Sequence, residues 1–171
     1  GVKPDRPETG FGYIQQEGEA GECGEYSVAK FAEKPSLDGA KTYLAGGQHT
    51  WNSGMFVLRA SAWLKVLGQF RPDILSATQA AWAGRALDAS FVRPDKEAFE
   101  SIPSESIDYA VMERCPGSDV ALHMVPLDAG WSDLGAWDAV WQVNQDGHQD
   151  EHGNVTQGDT MLADTKGSLV H

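Results

Sequence analysis

Segments with the pattern of β-strands alternate along this chain with segments of helical spacing, and this alternation limits the possible fold more than any other feature. Ser36 can cap the first predicted helix, Gly46 follows its end, and Pro72 fits the first turn of a later helix. Strands that alternate with helices bury their apolar faces in layers, so the pattern predicts an α/β fold. The predicted strands lie at 12–14, 26–33, 53–59 and 120–126, and the predicted helices at 36–44, 61–67, 72–82, 95–99, 106–112 and 135–143.

The carboxyl-terminal residues carry weaker signals. The polar, glycine-containing stretch 144–154 is predicted to be a linker, and short strands are predicted at 160–163 and 168–171. We therefore expect a main unit over residues 1–145. A linker and the start of a β-rich segment are expected over residues 146–171.

Charge and cysteine content narrow the possible partners. With 25 acidic and 13 basic residues among 171, the chain has a formal net charge of −12, and such a surface repels DNA and RNA. No apolar run approaches the roughly 20 residues of a membrane span, and no signal peptide is evident. Cys23 and Cys115 are too few and too far apart for a disulfide framework or a zinc site. We expect free thiols in the cytoplasm, with neither nucleic acid nor a membrane as partner.

Three short strings set charged or hydrogen-bonding groups beside Pro, Gly or Trp. A sugar phosphate needs such a combination: a cation for the phosphate, amide and carboxylate groups for the hydroxyls, and an acid for a metal ion. Their occurrence in one order predicts a sugar-phosphate site. The strings are Glu33-Lys34-Pro35, Trp51-Asn52-Ser53-Gly54-Met55-Phe56 and Trp131-Ser132-Asp133-Leu134-Gly135.

Each string also has an ordinary structural explanation. Glu33 and Lys34 can form an exposed ion pair at a strand end, and such pairs contribute little. Asn52 and Ser53, followed by glycine, are also typical of a turn. Asp133 can bind Mg²⁺, which prefers carboxylate and phosphate oxygens, or can cap the helix that follows it.

Two histidines give a weaker signal. His148 and His152 would share one face of a helix, an arrangement that metal sites use. Gly147 and Gly153 surround them and disfavour a helix. We therefore do not expect a metal site there.

Together the strings resemble the mannose-1-phosphate guanylyltransferases of the sugar-nucleotide pyrophosphorylase family. The resemblance covers essentially the whole chain, and the segment Ser106-Ile107-Asp108-Tyr109-Ala110-Val111-Met112-Glu113 is highly specific to this family. The other matching segments are 7–14, 31–35, 51–56, 125–137, 153–154 and 158–159.

The resemblance implies a reaction in which mannose 1-phosphate attacks the α-phosphorus of GTP, with Mg²⁺ as cofactor, and gives GDP-mannose and pyrophosphate. Catalysis of this kind consists mainly of alignment and charge neutralisation. The implied roles are sugar binding for Gly12, Glu33, Asn52 and Ser53, phosphate binding and catalysis for Lys34, and metal binding and catalysis for Asp133.

The chain departs from the family in one respect. The glycine-rich triphosphate loop, the guanine-binding segment and a second metal-binding Asp do not occur in residues 1–171. The resemblance thus implies, over residues 1–145, the sugar-phosphate-binding C-terminal half of a Rossmann-like nucleotidyltransferase domain with a mixed sheet, without the N-terminal nucleotide-binding half. We expect residues 1–171 alone to be inactive. Exposed sheet edges would favour a homo-oligomer or pairing with another chain.

Two other functions stay open at this point. One is a non-catalytic module that binds a sugar phosphate or a protein partner, which the missing nucleotide loop favours. The other is a pyrophosphorylase for a different hexose 1-phosphate, against which the strings at 51–56 and 106–113 argue.

Overall fold

Helices and strands are interspersed along the chain, which confirms the predicted α/β class. The computed structural model describes residues 1–145 and 149–171. The chain divides into two units, residues 1–128 and residues 129–171, and the predicted domain boundary after residue 145 stays a prediction. Among the described residues, no helix is both long and apolar enough to cross a membrane.

The elements of the first unit, in chain order, are β1 (Tyr13–Glu17), β2 (Tyr26–Ala32), α1 (Leu37–Gly46), β3 (His49–Trp51), α2 (Ala60–Phe70), α3 (Pro72–Ala83), β4 (Ala86–Asp88), β5 (Phe91–Arg93), α4 (Lys96–Glu100), α5 (Ile107–Ala110) and β6 (His123–Met124). A short 3-10 helix, Met112–Arg114, follows α5. The elements of the second unit are α6 (Trp137–Val143), β7 (Val155–Thr156) and β8 (Leu169–Val170).

Four strands of the first unit form one antiparallel sheet in the order β3-β1-β2-β6. In this register Tyr13, the first residue of β1, lies opposite both Ala32 of β2 and Trp51 of β3. Because neighbouring antiparallel strands run in opposite directions, β1 starts where β2 and β3 end. The residues just beyond those ends therefore meet at one edge of the sheet.

The hydrophobic cluster of the first unit joins strand residues of this sheet to residues of the helices, and Tyr13, Ala40 and Trp51 are buried outside that cluster. Burial of its apolar side chains is the main force that holds the unit together. Burial also raises the pKa of the Cys115 thiol, whereas Cys23 is exposed; both thiols are free, as predicted. The buried cluster consists of Ile14, Val28, Phe31, Leu67, Ala110, Val111, Met112, Cys115 and Met124.

The helix ends follow their local sequence signals. The Ser36 hydroxyl accepts a hydrogen bond from the Gly39 N–H at 3.2 Å at the start of α1. Gly47 ends the same helix in the left-handed conformation, with φ 67°, and Pro72 is the first residue of α3. These features confirm the predicted ends of α1 and the predicted start of α3.

The strand predictions were less accurate. The strand predicted at 53–59 is wrong, because the pairing with β1 ends at Trp51 and Gly54, with φ 71°, turns the chain away. The strand predicted at 120–126 is reduced to β6, and the one predicted at 160–163 does not form. The strand predicted at 168–171 contains the observed strand β8. The hairpin of β4 and β5 was not predicted.

A buried asparagine organises the second unit, where β7 pairs in parallel with β8. The Asn154 side chain is 1% exposed. Its amide nitrogen donates to Asp150 Oδ2 and to the Thr165 carbonyl, both at 2.9 Å, and its oxygen accepts from the Ser168 N–H at 3.1 Å. Every polar atom of this side chain thus has a partner, as a buried polar group requires.

Candidate functional site

Three of the predicted ligands meet just beyond the paired ends of β1, β2 and β3. A Cβ atom placed on Gly12 would lie 2.5 Å from Glu33 Oε2 and 3.3 Å from Asn52 Cβ. The Gly12 carbonyl accepts a hydrogen bond from the Asn52 N–H at 2.8 Å. The structure therefore brings Gly12, Glu33 and Asn52 into direct contact, so any side chain at position 12 would displace the Glu33 carboxylate.

Aromatic packing holds the loop that leads into β1. The Phe11 ring meets the Trp51 ring edge to face, with 5.2 Å between their centroids. The Tyr13 hydroxyl donates to the Glu8 carbonyl at 2.9 Å. These contacts fix the backbone on both sides of Gly12.

Lys34 comes directly after Glu33 and has φ 45°, a left-handed conformation that residues other than glycine rarely adopt. Its ammonium group donates to Glu33 Oε1 at 2.6 Å. The Lys34 side chain is 60% exposed, whereas that of Glu33 is only 8% exposed, so this is not an ordinary surface pair. The hydrogen bond to Glu33 and the negative charge of that carboxylate raise the pKa of Lys34, and Lys34 stays cationic.

The Asn52 side chain is held at both ends of its amide group. Nδ2 donates to Asp108 Oδ1 at 3.0 Å, and Oδ1 accepts from the Gly54 N–H at 2.9 Å. The turn predicted for this string is therefore present, and it also orients the amide. Ser53 lies in the same turn and, with Asn52, lines an apolar groove of about 450 Å³ that reaches Phe31.

Two carboxylates at this site were not predicted as functional residues. Asp108 contacts the Asn52 amide, and Glu113 Oε1 accepts a hydrogen bond from the Glu33 N–H at 2.8 Å. Burial raises the pKa of Asp108, and the negative charge of Glu33 raises it further. Both lie in the segment 106–113, whose resemblance to the family is highly specific but implies no role for either residue. Spacing alone gives no signal for either residue.

Asp133 belongs to the second unit. It is exposed, and its carboxylate lies against Gly135, where an added Cβ would be 2.8 Å from Asp133 Oδ2. The interpretation of Asp133 as a helix cap is wrong: α6 begins at Trp137 after Ala136, with no side-chain hydrogen bond at the cap.

The described residues contain no cluster of three or more His, Cys, Asp or Glu side chains suited to a metal ion. Mg²⁺ often takes only one or two carboxylates and completes its shell with phosphate oxygens and water. A single exposed carboxylate such as Asp133 fits that donor set. His148, one of the two histidines considered as metal ligands, lies outside the described residues.

Residues 1–150 match the sequence model of the family described as nucleotidyl transferase. The chain belongs to this family. The whole chain is 47% identical to a mannose-1-phosphate guanylyltransferase from Escherichia coli strain K12, of which it covers 35%. It is also 47% identical to the xanthan biosynthesis protein XanB from Xanthomonas campestris, of which it covers 34%. The nucleotidyl transferase chain thus spans about a third of the length of these curated relatives.

Solved structures give the same fold. One is described as a mannose-1-phosphate geranyltransferase from Thermus thermophilus; it matches 99% of this chain and 51% of its own, with 29% identity and a TM-score of 0.74. Another, described as a mannose-6-phosphate isomerase from Helicobacter pylori, matches 78% of this chain and 50% of its own, with 34% identity and a TM-score of 0.68. These matches confirm the predicted nucleotidyltransferase fold.

Proposed function

We propose that this chain supplies the sugar-phosphate-binding part of a cytoplasmic mannose-1-phosphate guanylyltransferase, an enzyme that converts mannose 1-phosphate and GTP into GDP-mannose and pyrophosphate. The observation that carries the proposal is the contact of Glu33 and Asn52 across Gly12, with the Lys34 ammonium 2.6 Å from Glu33 Oε1. The names of the curated relatives, which are 46–47% identical over the whole chain, support the same reaction.

The chemistry of these groups suits a sugar phosphate. Carboxylate and amide oxygens accept hydrogen bonds from sugar hydroxyls, and an ammonium group neutralises a phosphate. Lys34 is exposed enough to turn from Glu33 towards an incoming phosphate. In a chain with a formal net charge of −12, a local cation is needed for a dianion to bind. Ser53 would add a hydroxyl beside Asn52.

Asp133 would hold Mg²⁺, and the bound metal would neutralise charge on the nucleotide phosphates. The chain's own residues would then mainly align the sugar phosphate, because phosphoryl transfer depends largely on positioning and electrostatic stabilisation. We further propose that residues 1–171 alone do not turn over GTP, since they contain no glycine-rich triphosphate loop.

The test is titration calorimetry of the full-length polypeptide with mannose 1-phosphate, comparing wild type with Lys34→Ala. We expect the variant to bind roughly tenfold more weakly or worse, as loss of a charge-assisted contact to phosphate implies. Lys41→Ala, which removes another exposed lysine on α1, is the matched control and should bind as wild type does.

Two outcomes would refute the proposal. Equal affinity in wild type and Lys34→Ala would show that Lys34 does not bind the phosphate. Preference of the wild type for glucose 1-phosphate over mannose 1-phosphate would instead indicate a pyrophosphorylase for another hexose. Measured pyrophosphate release with each sugar phosphate and GTP would separate a catalytic enzyme from a binding module.

A further inference from the structure

The segment 106–113 contacts both loops that carry the residues proposed to bind the sugar. Glu113 reaches the Glu33 N–H, 80 residues away in sequence, and Asp108 reaches the Asn52 amide, 56 residues away. The two contacts thus join three distant parts of the chain at one point. Each carboxylate thus accepts a hydrogen bond from a part of the chain outside its own segment.

The segment itself is anchored in the core of the first unit. Ala110, Val111, Met112 and Cys115 are all buried in the hydrophobic cluster. Ser106 caps α5 by accepting a hydrogen bond from the Tyr109 N–H. Asp108 and Glu113 therefore project from a rigid support, which is what a positioning group needs.

Glu113 fixes the backbone immediately before Lys34. The left-handed conformation of Lys34, with φ 45°, is uncommon for a residue with a side chain and persists only where its surroundings hold it. The bond from the Glu33 N–H to Glu113 Oε1 supplies such a hold on the preceding peptide. The direction of the Lys34 side chain and the place of the Glu33 carboxylate over Gly12 both depend on this backbone.

Asp108 fixes the orientation of the Asn52 amide. Its carboxylate can only accept hydrogen bonds when ionised, so it selects the Nδ2 end of the amide. The opposite end accepts from the Gly54 N–H. The Asn52 amide is therefore held in one orientation before any ligand arrives.

We propose that Asp108 and Glu113 are positioning residues, which hold Asn52 and the Glu33–Lys34 backbone in the geometry that binds the sugar phosphate. They act through these neighbours and do not themselves contact the substrate. The inference rests on the proposed function, because the substrate used to test it is mannose 1-phosphate. Preorganisation of this kind raises affinity, since the ligand does not have to order the loops.

The experiment uses the full-length polypeptide with Glu113→Ala and Glu113→Gln, and with Glu97→Ala on α4 as a control carboxylate. Hydrogen exchange at the Glu33 amide reports the contact directly. The KM for mannose 1-phosphate and the KM for GTP report its effect on each substrate. In Glu113→Ala, the Glu33 amide hydrogen should exchange faster than in the wild type. The KM for mannose 1-phosphate should rise roughly tenfold, and the KM for GTP should stay unchanged.

Glu113→Gln keeps an oxygen that accepts the same hydrogen bond, so it should restore both the slow exchange and most of the affinity. Unchanged exchange and affinity in Glu113→Ala would overturn the proposal, as would equal rises in the KM for both substrates. If Glu113→Ala does not fold, Asp108→Ala tests the same idea at the Asn52 loop, with the same expected split between substrates. A wild type that does not bind mannose 1-phosphate would refute the proposed function, while the exchange at Glu33 would still test the contact.

Discussion

The contact of Gly12 with Glu33 and Asn52 makes Gly12→Ala the sharpest test of the site. The added Cβ would lie 2.5 Å from Glu33 Oε2, so the carboxylate would have to retreat by roughly 1 Å to reach ordinary contact distance. Gly12 does not have a positive φ, and its backbone accepts alanine without strain. The main effect should therefore be on the Glu33 carboxylate and on its hydrogen bond to Lys34.

Gly12→Ala should reduce the affinity for mannose 1-phosphate more than it reduces the stability of the fold. A misplacement of about 1 Å in a positioned group can cost up to about 100-fold, so we expect affinity for mannose 1-phosphate to fall by about 10- to 100-fold, or about 1.4–2.7 kcal/mol. The free energy of unfolding should change by less than about 1 kcal/mol. Alanine lowers the entropy of the unfolded chain by an amount worth about 0.4–1 kcal/mol, which offsets the crowding against Asn52 Cβ at 3.3 Å.

Titration calorimetry with mannose 1-phosphate and thermal unfolding of the same samples would measure the two effects separately. Gly46→Ala makes the same chemical change at the end of α1, where an added Cβ meets nothing within 4 Å. It should leave binding unchanged. Wild-type affinity in Gly12→Ala would refute the reasoning, because it would mean that the Glu33 carboxylate can leave its place over residue 12 without loss of the sugar.

Three further predictions concern other residues. Asp133→Asn should lower the activity of the full-length enzyme by roughly 100-fold, with partial recovery at high Mg²⁺, and should leave the melting temperature unchanged because Asp133 does not cap α6. Burial, and then the negative charge of Glu33, raises the pKa of Asp108 in the folded state above its ordinary value of 3.8. Ionisation of Asp108 therefore lowers the stability of the fold as the pH rises from about 3.8 through the raised pKa. Asp108→Asn should melt at a higher temperature than the wild type at pH 7, and the difference should be smaller at pH 3. Asn154→Ala should destabilise the second unit by about 2–4 kcal/mol, measured by denaturant unfolding, since it removes a buried side chain that bonds to Asp150.

Local signals account for the parts of the fold that were predicted correctly. Ser36 and Gly47 define the ends of α1 through bonds and dihedral angles within a few residues, and Pro72 does the same for the start of α3. The strand bounds depend on partners instead. Residues 53–59 have a strand-like composition, but no strand within the described parts of the chain pairs with them, and Gly54 turns the chain.

The hairpin of β4 and β5 shows a second reason for failure. Ala89 and Ser90 connect the strands, and Ala89 has φ 51°. Two-residue hairpin connections usually contain Gly, Asn or Asp, because these residues tolerate positive φ. Alanine gives no such signal, so the turn could not be recognised from its residues.

The residues of the candidate site fall into the same two groups: those with a local sequence signal and those that depend on distant contacts. The strings with Glu33, Lys34 and Asn52 are local, and their residue types alone suggest contact with a sugar phosphate. Asp108 and Glu113 are different, because their contacts join distant parts of the chain. No spacing rule predicts which carboxylate will reach a particular backbone N–H 80 residues away in sequence.

We expect these distant contacts to form late as the protein folds. Closing loops of 80 and 56 residues costs chain entropy before the contacts contribute any stabilisation. Folds rich in such distant contacts form slowly. During synthesis on the ribosome, the Glu33–Lys34 and Asn52 loops emerge well before Asp108 and Glu113. Until then, these loops lack the hydrogen bonds that hold them in the folded protein. A sugar phosphate that recognises the finished site would then slow unfolding and leave the folding rate almost unchanged, since its binding geometry exists only after the last loop has closed.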